Sequence, residues 1–171
     1  MNHKQAPWQR TFESFAGPGI HNPSDMMKVS DSDARQILPE LAAVKWQPPA
    51  YVGEGRHAGY SVCNAVDAWA TVLFHAGRVA GFYVGSSLWI AKPHRGKGLN
   101  VPLILVAARH RGGTVLPPGV VFQGYTAAGI AAHRSAHRHA VAVALAEGLP
   151  VPAEVLREIQ PVVETVLAAA A

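Results

Sequence analysis

LWIAKPHRGKGLNVPLILV, the stretch from Leu88 to Val106, joins an apolar strand to an apolar helix through a basic, glycine-rich turn. A chain turning at Arg95-Gly-Lys-Gly98 can aim successive backbone N–H groups at a ligand, because glycine has no Cβ to obstruct the approach or forbid positive φ. The following helix adds unpaired N–H groups and a positive dipole end. Pro102 locates that helix, since a residue without an N–H is tolerated only in the first turn. The helix is therefore expected to begin between Gly98 and Val101, with Asn100 an acceptable cap. Arg95 and Lys97 place full positive charges at the rim, so a diphosphate would meet both dipoles and cations. The plain alternative is a basic turn leading into a core helix.

Two phosphate loops fail against this segment. A P-loop needs Ser or Thr after Gly-Lys, whereas Lys97 is followed by Gly98 and Leu99, which removes the magnesium-binding hydroxyl. The dinucleotide fingerprint G-x-G-x-x-G fits Gly96 and Gly98 but meets Val101 at its third glycine. The segment instead resembles the acyl-CoA-binding signature of the GNAT N-acyltransferase superfamily, R-x-x-G-x-G/A between strand 4 and helix 3. Arg95, Gly98 and Asn100 stand on its defined positions, the last where the family usually has glycine or alanine. Ile90, five residues before Arg95, stands where the family places an apolar strand residue whose backbone meets the pantetheine arm. The resemblance covers roughly residues 57 to 135. It implies acetyl-CoA or another acyl-CoA as co-substrate, with no metal, held by Ile90, Arg95, Gly96, Lys97, Gly98, Leu99 and Asn100. It also implies transfer of a short acyl group to a small-molecule or protein amine.

Upstream of the turn the hydrophobic period is that of strands: Tyr60 to Cys63, Ala68 to Phe74, Val79 to Val84 and Leu88 to Ala91. The links at Ala76-Gly77-Arg78 and Gly85-Ser-Ser87 are short enough for antiparallel hairpins. Downstream, a helix over 99–110 leads to a strand at Thr114 to Leu116 and another at Val120 to Gln123. The resemblance sets the latter beside strand 4, splayed to admit the coenzyme arm. The expected fold class is α/β of the α+β type: a GNAT-like mixed, mostly antiparallel sheet flanked by helices.

A second helix is expected from Thr126, its cap, through Ala127 to Glu147, ended by Gly148 and Pro150. Ile130, His133, His137, Val141, Ala144 and Leu145 fall on one side of it. Three readings of the two histidines stay open: buried, neutral and hydrogen-bonded; metal-binding at i, i+4 spacing; or catalytic. The last comes from the resemblance, in which a tyrosine seven residues beyond an Asn protonates the departing thiolate. Registering Thr126 on that Asn puts His133 at the acid's position, with Tyr125 as the other candidate acid. The attacking amine must lose a proton, and Glu54, Asp67 and His75 are the titratable candidates, with Glu54 on a loop able to border a cleft.

A chain of 171 residues is long enough for one domain with a core that needs no staples. The first 29 residues read as an irregular arm. Ser30-Asp-Ser-Asp33 caps a helix that Pro39 should bend or divide. After Gly148, where the family has a closing strand pair, residues 149–171 read as an atypical helical segment interrupted by Pro161. Its apolar end could cover its own domain or form a homodimer. The lone Cys63 sits in an apolar run, so inert burial is expected. No run approaches the ~20 apolar residues of a membrane span, and the first ten residues lack the apolar stretch of a secretory signal, so a cytoplasmic, membrane-free protein is expected. The net charge of +4, with nine histidines outside that count, favours anionic partners. Besides coenzyme A these include nucleic acid, for which Arg109, Arg111, Arg134 and Arg138 are the candidate contacts, and a non-catalytic coenzyme-binding or assembly role is the remaining alternative.

Overall fold

The computed structural model describes residues 5–117, 119 and 124–159. Five strands, β1 (Tyr51–Val52), β2 (Tyr60–Asn64), β3 (Ala70–His75), β4 (Arg78–Val84) and β5 (Ser87–Ile90), pair antiparallel in sequence order. The class is α+β. The segment 120–123, expected to run beside the last strand, lies outside the described residues. Thr114 to Leu116 forms no strand: the N–H of Val115 and the hydroxyl of Thr114 both donate to the carbonyl of Phe15, so this stretch bonds the N-terminal arm instead.

Both faces of the sheet are buried, and the two-residue period sorts its side chains between them. Val62, Leu73 and Tyr83 point to one core cluster, while their neighbours Cys63, Val72 and Phe82 point to the other. Helix α2 (Asp31–Leu41) covers the second face with Ala34 and Leu41. Its start is a reciprocal box between Ser30 and Asp33, and Pro39 falls in its last turn without dividing it. Helices α1 (Phe12–Ala16), α3 (Asn100–His110) and α4 (Ala127–Ala146) cover the first face. The arm before residue 30 is therefore more ordered than its composition implied: Phe12 and Phe15 are core residues, and short 3-10 turns flank them.

On α4 the buried side comprises His133, Ala136, His137, Ala140, Val141 and Ala144, whereas Leu145, expected on it, is 50% exposed. The stripe is narrower than a hydrophobicity count implies because alanines let the helix sit close to α3. Residues 153–159 are helical, with Val155 buried and the carboxylate of Glu158 accepting from the N–H of Phe12 at 2.8 Å. Pro161 and the apolar end of the chain lie outside the described residues. Cys63 is buried, and burial pushes its thiol up from its ordinary range, the condition of an unreactive cysteine. No helix among the described residues is long and apolar enough to cross a membrane.

Candidate functional site

The turn after β5 has the geometry its glycines allow. Gly96 and Gly98 both sit at φ of +75°, left-handed backbone that a side chain rarely adopts. Among the described residues, no acceptor bonds the N–H of Gly96, Lys97, Gly98, Leu99 or Asn100. Five successive amides are thus unpaired at the start of α3; Leu99 is itself buried, while Gly96 and Lys97 are exposed and Gly98 and Asn100 half-buried, so the turn can offer N–H groups to an anion. The cap differs from expectation: Leu99 is the N-cap, Asn100 is the first helical residue, and no side chain caps the helix. Pro102 occupies the first turn, as its missing N–H requires.

Two tyrosine–histidine pairs hold the turn. His57 donates from Nε2 to the carbonyl of Lys97 at 2.7 Å, which leaves Nδ1 to accept from Tyr51 at 2.8 Å. Burial, and then the nearby Glu54, push the Tyr51 phenol up, so it stays protonated for that bond. On the other side the Tyr60 hydroxyl meets His94 Nδ1 at 2.8 Å and accepts from the Lys97 ammonium at 3.1 Å. His75 packs against Tyr60 with ring centroids 4.4 Å apart and tilted by 34°, and its ring lies 5.2 Å from that of His94. Burial, followed by the fields of His75 and Lys97, lowers the His94 imidazole below its ordinary value. Arg95 is committed elsewhere: Nε donates to the Ile90 carbonyl and Nη2 to Asp31, each at 2.6 Å. Asp31 also accepts from the Trp89 indole, and these two bonds hold its carboxyl below the usual range. Arg95 thus braces the end of β5 onto α2, and Ile90, half-buried, lends it a carbonyl.

Gly98 also opens onto a cavity of about 770 Å3 between α3, α4 and the N-terminal arm. Its wall is apolar along Val101, Leu105, Ala140 and Val143, and its rim carries Glu54, Arg56 and Arg109. That volume and mixture suit an organic ligand. Glu54 therefore borders a cleft, as the loop position implied. The Arg56 guanidinium lies 3.3 Å from where a Cβ on Gly98 would stand, so a cation stands beside the turn. Asp67 is exposed between β2 and β3, away from this lining.

His133 and Tyr125 are placed differently from the acid the register proposed. Both are buried, at 1% and 5% exposure. His133 donates from Nδ1 to the Gly129 carbonyl at 2.7 Å and accepts at Nε2 from Tyr83 at 2.8 Å, so neither ring nitrogen is left for a substrate. Burial pushes its pKa down to about 4. His137 is likewise buried and donates to the Arg10 carbonyl at 2.7 Å. Of the three readings, the buried and hydrogen-bonded one describes both, and no group of three metal-binding side chains occurs among the described residues. Tyr125 donates to the Ala16 carbonyl at 2.6 Å, and burial raises its phenol far above the ordinary value. Of the arginines considered for nucleic acid, Arg111 is interior and Arg134 lies over the Phe12 ring at 4.3 Å, so they form no common phosphate-facing stripe.

Sequence reasoning missed Asp31, Arg56, His57, Tyr60 and His94. His94 lay inside the quoted stretch, but nothing in its spacing shows a tyrosine 34 residues earlier waiting for it. No family model, no curated protein and no solved structure matches this chain.

Proposed function

We propose that this chain is an acyl-CoA-dependent N-acyltransferase that moves an acetyl or other short acyl group to an amine. The observation that carries the reading is the run of five unbonded amides from Gly96 to Asn100, opening at Gly98 beside Arg56 and the cavity. Such a nest suits a pyrophosphate, whose oxygens take N–H bonds without needing a particular side chain. In the reaction the amine nitrogen attacks the thioester carbon, the C–S bond breaks, and the thiolate takes a proton. Glu54, which lines the cavity, is the residue we assign to take the proton that the amine sheds. A backbone N–H supports the oxyanion. Tyr125 stays protonated at neutral pH but serves as acid only if its hydroxyl leaves the Ala16 carbonyl, while the His133 ring, 4.6 Å from it between centroids, acts as a positioning residue.

Titration calorimetry tests this. Acetyl-CoA is expected to bind at micromolar levels, and Gly98→Asp to abolish binding, because it puts a carboxylate among the amides and a side chain at φ of +75°. Gly96→Ala carries the same backbone strain in open space and is expected to weaken binding far less. Absence of heat with any short-chain acyl-CoA overturns the reading. The burial of His133 and Tyr125 favours a second one, a coenzyme-binding protein without turnover. Acyl transfer to any of a panel of amines decides for the first.

A further inference from the structure

Lys97, His94 and His75 come from three segments, the turn, the 3-10 turn Lys92–His94 and the end of β3, and meet around one phenol, that of Tyr60. Each is a cation when protonated. No carboxylate pairs with any of them: the ion pairs among the described residues are His21 with Glu13 and Arg95 with Asp31. Like charges gathered without a counter-charge oppose folding, and such clusters belong to sites where an anion supplies the missing charge.

The hydrogen bonds also set the direction of the donors. The Lys97 ammonium donates to the Tyr60 oxygen, so the Tyr60 hydrogen is free to go to His94 Nδ1. Neutral His94 then carries its proton on Nε2 and is a donor without having to ionise. Lys97 retains two further N–H groups. Because Lys97 is also one of the five residues whose amides are unbonded, this second group of donors adjoins the first.

We propose that the Lys97–His94–His75 cluster is a phosphomonoester site, and that with coenzyme A it takes the 3′-phosphate while the turn takes the pyrophosphate. The identity of that ligand rests on the acyl-CoA reading; the cluster's call for a phosphate rests on its own geometry. The Lys97 ammonium and His94 Nε2–H donate to the phosphate oxygens, His75 adds its charge when protonated, and Tyr60 fixes the geometry of all three.

Calorimetry with coenzyme A and with 3′-dephospho-coenzyme A separates the two claims. One or two charge-assisted hydrogen bonds correspond to a preference for coenzyme A of about 10- to 100-fold in the unmodified protein. In Lys97→Met and His94→Gln that ratio is expected to fall toward one; His94→Gln keeps its binding of the dephospho form, which also shows that it folds, while Lys97→Met weakens both coenzymes and the 3′-phosphorylated one more. Without ligand, Lys97→Met is expected to melt no lower than the parent, since it removes the cluster's permanent cation; a purely structural role for its bond to Tyr60 would lower the melting temperature. Equal affinity of the parent for the two coenzymes, or a preference that survives in both variants, overturns the phosphomonoester site and leaves the acyl-CoA reading standing. Failure of both compounds to bind overturns the two together.

Discussion

His133 shows what a single buried imidazole does to the pH range of a fold. Its ring is neutral between Gly129 and Tyr83, and its pKa is about 4 in the folded chain against an ordinary 6.5. Above pH 6.5 neither folded nor unfolded chain holds the proton, so the residue adds no pH dependence. Between 6.5 and about 4 the unfolded chain takes up a proton that the folded one refuses, and stability falls as pH falls. The slope is about 1.4 kcal/mol per pH unit, so lowering the pH from 7.5 to 5 should cost roughly 2 kcal/mol through this residue. His137, also lowered chiefly by burial, acts in the same direction. Urea unfolding at the two pH values measures the loss, and His133→Gln should flatten it by that share. A slope unchanged in the variant would show that the imidazole is not the proton acceptor. The i, i+4 spacing of these histidines and their place on the apolar side were legible in the sequence, and burial was one of the readings it offered; their partners were not, because Tyr83 and the Arg10 carbonyl lie 50 and 127 residues away.

At the scale of elements, what the sequence exposed was local chemistry. The four strand runs, the hairpin links, the caps at Ser30 and Thr126 and the helix entered at Pro102 are each written within a few neighbouring residues, and each forms. What stayed hidden needs a partner far along the chain: β1, only two residues long, exists because Tyr51 and Val52 pair with Val62 and Ser61. Thr114 to Leu116 reads as a strand yet serves Phe15. The candidate site divides the same way, its glycines legible and its tyrosine–histidine braces not. The β3–β4 hairpin offers a direct test of local chemistry. Its two turn residues, Ala76 and Gly77, sit at φ of 48° and 73°, the pattern of a type I′ turn, in which alanine is strained and asparagine favoured. Ala76 is exposed. Ala76→Asn should therefore stabilise the protein by about 0.5–1 kcal/mol in denaturant unfolding; a neutral or destabilising result would mean that the turn is not the two-residue hairpin its pairing defines.

For the molecule as a whole, Arg111 ties the layers together. It follows α3, is 5% exposed, and has no acidic partner among the described residues; its guanidinium donates to the carbonyls of Trp69, Tyr83, Gly85 and Val115 and lies 4.6 Å from the centre of the Tyr83 ring. Those acceptors belong to β4, to the residues flanking β3 and β4, and to the segment that bonds Phe15. One charge therefore joins the sheet, the end of α3 and the N-terminal arm, and through Tyr83 reaches the His133 network. In the sequence it is the last residue of Arg109-His-Arg111, where nothing distinguishes a cation sealed by carbonyl dipoles from one facing solvent, and the nucleic-acid reading rested partly on that ambiguity. Burial lowers its pKa from the ordinary value, yet arginine begins so high that it stays charged, which lysine in the same place would not guarantee. Arg111→Met removes the guanidinium donors from four carbonyls; that of Trp69 keeps its bond from the Gly85 N–H, while those of the buried Tyr83 and Val115 lose a charged donor, so a loss of about 2–4 kcal/mol is expected in chemical unfolding. Arg111→Lys keeps a cation but cannot span the same fork of acceptors, and should fall between the two. Exposed Arg138, changed to Met, is the control and should alter stability by less than about 0.5 kcal/mol. If Arg111→Met unfolds at the same denaturant concentration as the parent, the carbonyl cage is not what joins the arm and α3 to the sheet.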